Sequence, residues 1–197
     1  MHKSDSEIWN KFRSGDDFTL SLIYSNHAKS LYRYGLKFTG NHNLIEDVIH
    51  DLFIDLIRNR KTIGDTANIQ FYLLKSFRRK LLRLLKGEMR YSDDQSGHEA
   101  FEVQYSIETE LISEETKANQ MIRLRDAIDQ LSPRQKEAIY LKFQKELNYD
   151  EISEILGMGV EACRNLIYRA IKSLREAFPS DGNQPILLLI LKNQAIF

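Results

Sequence analysis

Between Leu44 and Ile57 a run of large apolar residues recurs at Leu44, Ile45, Val48, Ile49, Leu52, Phe53, Leu56 and Ile57. Steps of three and four keep these side chains on one stripe of a 3.6-residue helix, whereas a strand would scatter them over both faces. A helix of this kind is stable only with its stripe covered, so it demands partners of the same type. Ile8, Trp9 and Phe12, the span 20–38, and residues 71–86 supply further amphipathic turns. Only three prolines and nine glycines interrupt 197 residues, and period-two alternation persists nowhere. The expected fold is all-α.

Helix signals and composition divide the chain. Asn43 stands as an N-cap, with Glu46 at the capping-box position, and predicts a helix over 44–58. Gly64 and the polar run 65–70 separate it from the next helix, and residues 1–88 are expected to form one helical domain. Residues 89–115 are too charged and too poor in apolar periodicity to build a core, which marks a linker. A second helical domain spans 116–178. Within it, Ser132-Pro133-Arg134-Gln135 combines an N-cap, a proline at the first helical position and a capping-box partner. Asn148-Tyr149-Asp150-Glu151 is a second start, and Gly157-Met158-Gly159 punctuates before a helix from Val160 to Phe178.

The net charge is zero, with 28 basic and 28 acidic residues, but the charges are segregated. Lys75, Arg78, Arg79, Lys80, Arg83, Lys86 and Arg90 face Glu88 alone over 75–90, whereas 91–115 holds eight carboxylates and no Lys or Arg. The linker is therefore acidic and the helix before it basic. Cys163 is the only cysteine, so neither an intrachain disulfide nor a Cys-cluster metal site is available. The first residues lack the apolar stretch of a signal peptide, and the longest apolar run, Ile186 to Leu191, is far below the roughly 20 residues of a membrane helix. A cytoplasmic protein is expected, with no cofactor and no metal.

Residues Tyr149 to Leu174 have the pattern of a helix-turn-helix. Ile152, Ile155 and Leu156 are expected inward from the first helix, with Gly157 at the turn. Cys163, Leu166, Ile167, Ala170 and Leu174 are expected inward from the second. Its other face presents Glu161, Arg164, Asn165, Tyr168, Arg169 and Lys172. Arg and Asn can bond base edges bidentately, and Arg and Lys anchor phosphates, so this face suits the major groove of DNA.

Leu131-Ser132-Pro133-Arg134-Gln135-Lys136-Glu137-Ala138, followed by Leu147-Asn148-Tyr149-Asp150-Glu151-Ile152-Ser153-Glu154-Ile155-Leu156-Gly157, resembles the promoter-binding domain of extracytoplasmic-function sigma factors. Ile45-Glu46-Asp47-Val48-Ile49-His50-Asp51-Leu52-Phe53 is similar to the helix with which that family grips RNA polymerase, and residues 24–39 match the helix before it. The resemblance runs over residues 5–178 in the family's order. It implies a non-enzymatic protein whose partners are core RNA polymerase, promoter DNA and an anti-sigma factor.

Carried over by position, the resemblance assigns Asp47, His50 and Asp51 to docking on the polymerase clamp. It assigns Asn68, Lys75, Arg78 and Arg79 to recognition and melting of the minus-ten element. Arg164, Asn165, Tyr168 and Arg169 would read the minus-thirty-five element, with Lys172 on a phosphate. Phe71, Tyr72 and Phe77 are expected in the core, and the acidic linker would thread the RNA exit path. The tail, 179–197, is not explained by the family. Its apolar run is expected to pack on the protein itself or on a partner, since burying each such side chain contributes roughly 1.5–3 kcal/mol.

Two other classes compete. His50-Asp51 is the dipeptide of a class of metal phosphohydrolases, but His2, His27, His42 and His98 have no ligand spacing to complete such a site. A helix-turn-helix regulator with an N-terminal sensing or dimerisation domain explains 116–178, yet leaves the clamp-like helix and the basic block without a purpose.

Overall fold

The protein, analysed as a computed structural model, is described over residues 4–89, 101–102 and 115–176, with no account of the side chains at 88–89 and 115–121. The apolar run at 186–191 and most of the acidic linker lie outside the described residues. Eight helices and no strand occur among the described residues, in two compact units divided between residues 98 and 99.

The first unit contains α1 (Asp5–Ser14), α2 (Asp17–Gly35), α3 (His42–Asn59) and α4 (Ile69–Met89). The stripe behaves as its spacing dictates: Ile45, Val48, Ile49, Leu52, Phe53 and Leu56 of α3 are buried against α2 and α4, while Ile57, at the edge of the stripe, is exposed. Helix α3 begins two residues before the expected start. Its N-cap is Asn41, whose side chain accepts the Leu44 amide at 3.1 Å, and Asn43 lies within the first turn.

Helices α2, α3 and α4 meet at Gly35. A Cβ there would stand 2.8 Å from Ile45 Cγ2 and 3.0 Å from Phe77 Cζ, so only glycine permits the approach. Helix α1 covers the same core with Trp9 and Phe12, both buried, and Trp9 packs on Tyr72 of α4 at 4.8 Å between rings.

Lys37 follows α2 and is only 4% exposed, an unusual position for an ammonium group. Burial draws its pKa from the ordinary 10.5 down to about 8. Below pH 8 both folded and unfolded chains carry the proton, and folding bears the full cost of desolvating the charge. Between pH 8 and 10.5 the unfolded chain binds more protons, so stability rises with pH; above that window the cost is gone. Lys37→Met is therefore expected to stabilise the first unit by about 1–3 kcal/mol at pH 7. Urea unfolding at a series of pH values checks this, because the gain must close as pH rises toward 10.5.

The second unit contains α5 (Glu115–Asp129), α6 (Pro133–Phe143), α7 (Tyr149–Leu156) and α8 (Val160–Glu176), with α5, α6 and α7 all packed on α8. Both expected helix starts form as capping boxes. Ser132 Oγ accepts the Gln135 amide while Gln135 Oε1 accepts that of Ser132, and Asn148 and Glu151 exchange the same pair of bonds at 2.9 Å. Phe101 departs from the expectation of a plain tether at 89–115. It is 2% exposed and packs on Tyr140 of α6 with 5.7 Å between ring centroids, so an aromatic side chain within the acidic stretch joins the second core.

Candidate functional site

Three surfaces carry the residues singled out by the sequence. The first is an open groove of about 540 Å³ between α2 and α3, lined by Tyr24, Lys29, Tyr32, Glu46, Asp47 and His50 among others. The spacing of α3 decides who reaches it. Ile45, Val48, Ile49 and Leu52 turn inward, leaving Asp47, His50 and Asp51 exposed on the opposite arc. Asp47 and His50 line the groove, while Asp51 stands exposed one turn beyond Asp47 on the same helix.

Sequence reasoning missed the contribution of α2 to this groove. Tyr24, Ala28 and Tyr32 recur every fourth residue, a second stripe that the eye absorbs into the core pattern. Tyr24 is half exposed with its ring edge-on to Phe53 at 4.9 Å, and Tyr32 Oη lies 2.5 Å from His42 Nδ1. The groove thus has an aromatic floor and a rim with carboxylates, suited to an arginine-bearing partner.

The second surface is α4. Lys75, Arg79, Arg83 and Lys86 are all exposed, and their spacing of four, four and three residues makes one basic stripe roughly 16 Å long. Arg78 does not belong to it. It is 8% exposed, sharing the inner arc with Leu74, Phe77 and Leu81. Lys80 is also committed elsewhere: its ammonium is 2.5 Å from Asp55 of α3 and holds that carboxyl below the usual carboxylate range. Of the three aromatics, Phe77 is fully buried, whereas Phe71 and Tyr72 are half-buried and the Lys75 ammonium stands 5.6 Å over the Phe71 ring.

Asn68 turns out to be a helix cap. Its carboxamide oxygen accepts the Phe71 amide at 3.0 Å, and its own amide and carbonyl both bond Thr66 Oγ1. Helix α1 fixes the loop in front of it. Trp9 Nε1 donates to Gly64 O at 2.9 Å, Arg13 pairs with Asp65, and Asp5 accepts the Ile69 amide at 2.8 Å. These bonds bridge more than fifty residues of sequence, which leaves no local signal for them.

The third surface is α8. Gly157 takes φ +64°, the left-handed cap that ends α7 and turns the chain, and it donates to Ser153 O. Cys163, Ile167, Ala170 and Leu174 are buried in line, with burial pushing the Cys163 thiol pKa upward. Leu166 is only half-buried, because it sits on the flank of that line. Arg164, Asn165, Tyr168, Arg169 and Lys172 are all exposed on the outer face, as expected, and Tyr168 is 64% exposed. A short helix, a left-handed turn and a second helix bearing five exposed polar groups form the frame of a major-groove reader.

Comparison with known families agrees with both units. The sigma-70 region 2 model matches residues 23–91 and the sigma-70 region 4 model matches residues 121–174, together more than half of the chain. The chain belongs to the sigma-70 family. It is of the extracytoplasmic-function (ECF) type: the ECF RNA polymerase sigma factor BldN of Streptomyces coelicolor is 25% identical over 188 residues, covering 89% of this chain and 66% of BldN. The ECF sigma factor SigL of Mycobacterium tuberculosis is 25% identical over 161 residues, 79% of this chain and 86% of that protein.

The sigma-70 fold recurs in solved structures. The sigma factor RpoE of Bartonella quintana, in complex with the anti-sigma factor NepR, superposes with a TM-score of 0.56 at 19% identity, over 84% of this chain and 97% of that one. CnrH in complex with the cytosolic domain of CnrY gives 0.58 at 16% identity, over 91% and 100%. The region 2 match takes in the groove and the basic stripe but not α1, and the region 4 match contains α6, α7 and most of α8. Among the described residues no helix is long and apolar enough to cross a membrane.

Proposed function

We propose that this chain acts as a sigma factor with its three surfaces divided by task. Asp47, His50 and Asp51, with the aromatic floor of Tyr24 and Tyr32, dock on core RNA polymerase. The α4 stripe of Lys75, Arg79, Arg83 and Lys86 tracks the backbone of a separated promoter strand, since such a strand is held by regularly spaced cations and stacking groups. Asn68 serves that task by capping α4, and Arg78 by packing beneath the stripe. Arg164, Asn165, Tyr168 and Arg169 read the minus-thirty-five element, and Lys172 meets a phosphate.

The observation that carries this reading is the outer face of α8, where all five of these polar side chains are exposed behind a left-handed glycine turn. The protein does no chemistry of its own. It works in the cytoplasm, where the chromosome lies, and an anti-sigma factor is its expected regulator, as NepR is the anti-sigma factor in the RpoE complex.

Mixing the protein with sigma-free core polymerase tests the whole. Co-elution from a sizing column, and initiation from a promoter that core polymerase alone ignores, are the expected results. A helix-turn-helix regulator with an N-terminal sensing domain would give neither.

A further inference from the structure

We infer that Tyr149 is a positioning residue for Arg164, holding the guanidinium ready for its base and setting specificity at one position of the minus-thirty-five element. This rests on the proposed promoter-reading role of α8. Arg164 leaves the second turn of α8, and its guanidinium carbon lies 5.3 Å from the centre of the Tyr149 ring on α7. The Lys142 ammonium of α6 lies 4.6 Å from the same centre. One ring therefore receives a cation from each of the two neighbouring helices, both within the distance at which a π-face attracts charge.

The platform itself is fixed. Tyr149 is the first residue of α7 and lies within the Asn148–Glu151 capping box, whose two reciprocal bonds hold the backbone on either side of it. Lys142 is tethered by a 3.2 Å bond from Nζ to Leu147 O, in the turn that leads to the ring. Arg164 by contrast is exposed on a long side chain that samples many rotamers in water. A ring at 5.3 Å removes much of that freedom before DNA arrives, and its negative face offsets the repulsion between two cations held at one point. Pre-organisation of this kind sharpens readout, because a guanidinium held in its fork geometry bonds a guanine edge bidentately without first being ordered.

The test uses the full chain bound to core polymerase, and a promoter library randomised across the minus-thirty-five element. Arg164→Ala identifies the position it reads as the one whose preference flattens. Tyr149→Leu, which keeps bulk but loses the π-face, is expected to reduce preference at that same position by about 2–5-fold. Preferences elsewhere in the element should be untouched. Tyr149→Phe, which keeps the face and loses only the hydroxyl, is expected to behave as wild type. In an Arg164→Ala background, Tyr149→Leu should change nothing further.

A uniform loss at all positions in Tyr149→Leu, with Tyr149→Phe equally impaired, would assign the residue a merely structural part and overturn the inference. So would an unchanged profile in a folded Tyr149→Leu protein whose Arg164→Ala counterpart has lost the preference. An unchanged profile in Arg164→Ala itself overturns the promoter-reading assignment of that residue and this inference with it. Should Tyr149→Leu fail to fold, Tyr149→Met, similar to Leu in volume but unbranched and more adaptable in packing, takes its place under the same criteria.

Discussion

Reversing charge at Asp47 and Asp51 together, as Asp47→Lys with Asp51→Lys, is expected to abolish co-elution with core polymerase. The two carboxylates lie one turn apart on the exposed arc of α3, and Asp47 lines the groove against α2. Truncating one partner of a buried charge pair costs 2–5 kcal/mol, so replacing two attractions by two repulsions should weaken binding by at least roughly 1,000-fold. Neither side chain enters the core, so the helical signal and thermal unfolding should stay at wild-type values. Retained co-elution by a folded double variant would refute the docking assignment while leaving the promoter-reading surface standing.

The other large effect is expected at the far end of the chain. Arg164→Ala with Asn165→Ala removes two base-reading side chains from the exposed face of α8. Each lost bidentate contact is worth about 1–3 kcal/mol of discrimination, so promoter-specific initiation should fall at least about 30-fold. Core binding should survive, because the docking groove lies in the other unit. Transcription from the native promoter at wild-type level would mean that neither residue reads bases.

Local chemistry is legible in the sequence. Ser132 and Asn148 cap their helices through partners three residues away, and the left-handed turn at Gly157 needs only the glycine. The exposed face of α8 followed from its period alone. Asn41 and Asn43 are less separable, because both precede the same apolar stripe and either oxygen suits a first-turn amide; the structure selects Asn41.

Arg78, which the resemblance groups with Lys75 and Arg79, is buried while those two are exposed. Counting basic residues along 75–90 treats them as one block, whereas a helix sorts them by angle. Arg78 follows Leu74 by four positions and precedes Leu81 by three, which puts it on the inner arc, while Lys75, Arg79 and Arg83 lie outside. That signal was present in the spacing. By contrast, the hold of α1 on the loop at 64–69 and the seating of Phe101 on Tyr140 depend on contacts between distant residues. No local pattern encodes them.

Under the proposed division of tasks, the crossing at Gly35 joins the face that would hold polymerase to the face that would hold a DNA strand. The groove belongs to α2 and α3, the basic stripe to α4, and all three helices touch where a side chain is missing. A joint of backbone against Ile45 and Phe77 contains nothing compressible, since close-packed interiors yield little under load. On that division, a pull on α4 would pass to α2 and α3 through this joint. A larger residue at 35 would have to displace Ile45 or Phe77, and so would disturb both faces at once with every surface residue still in place.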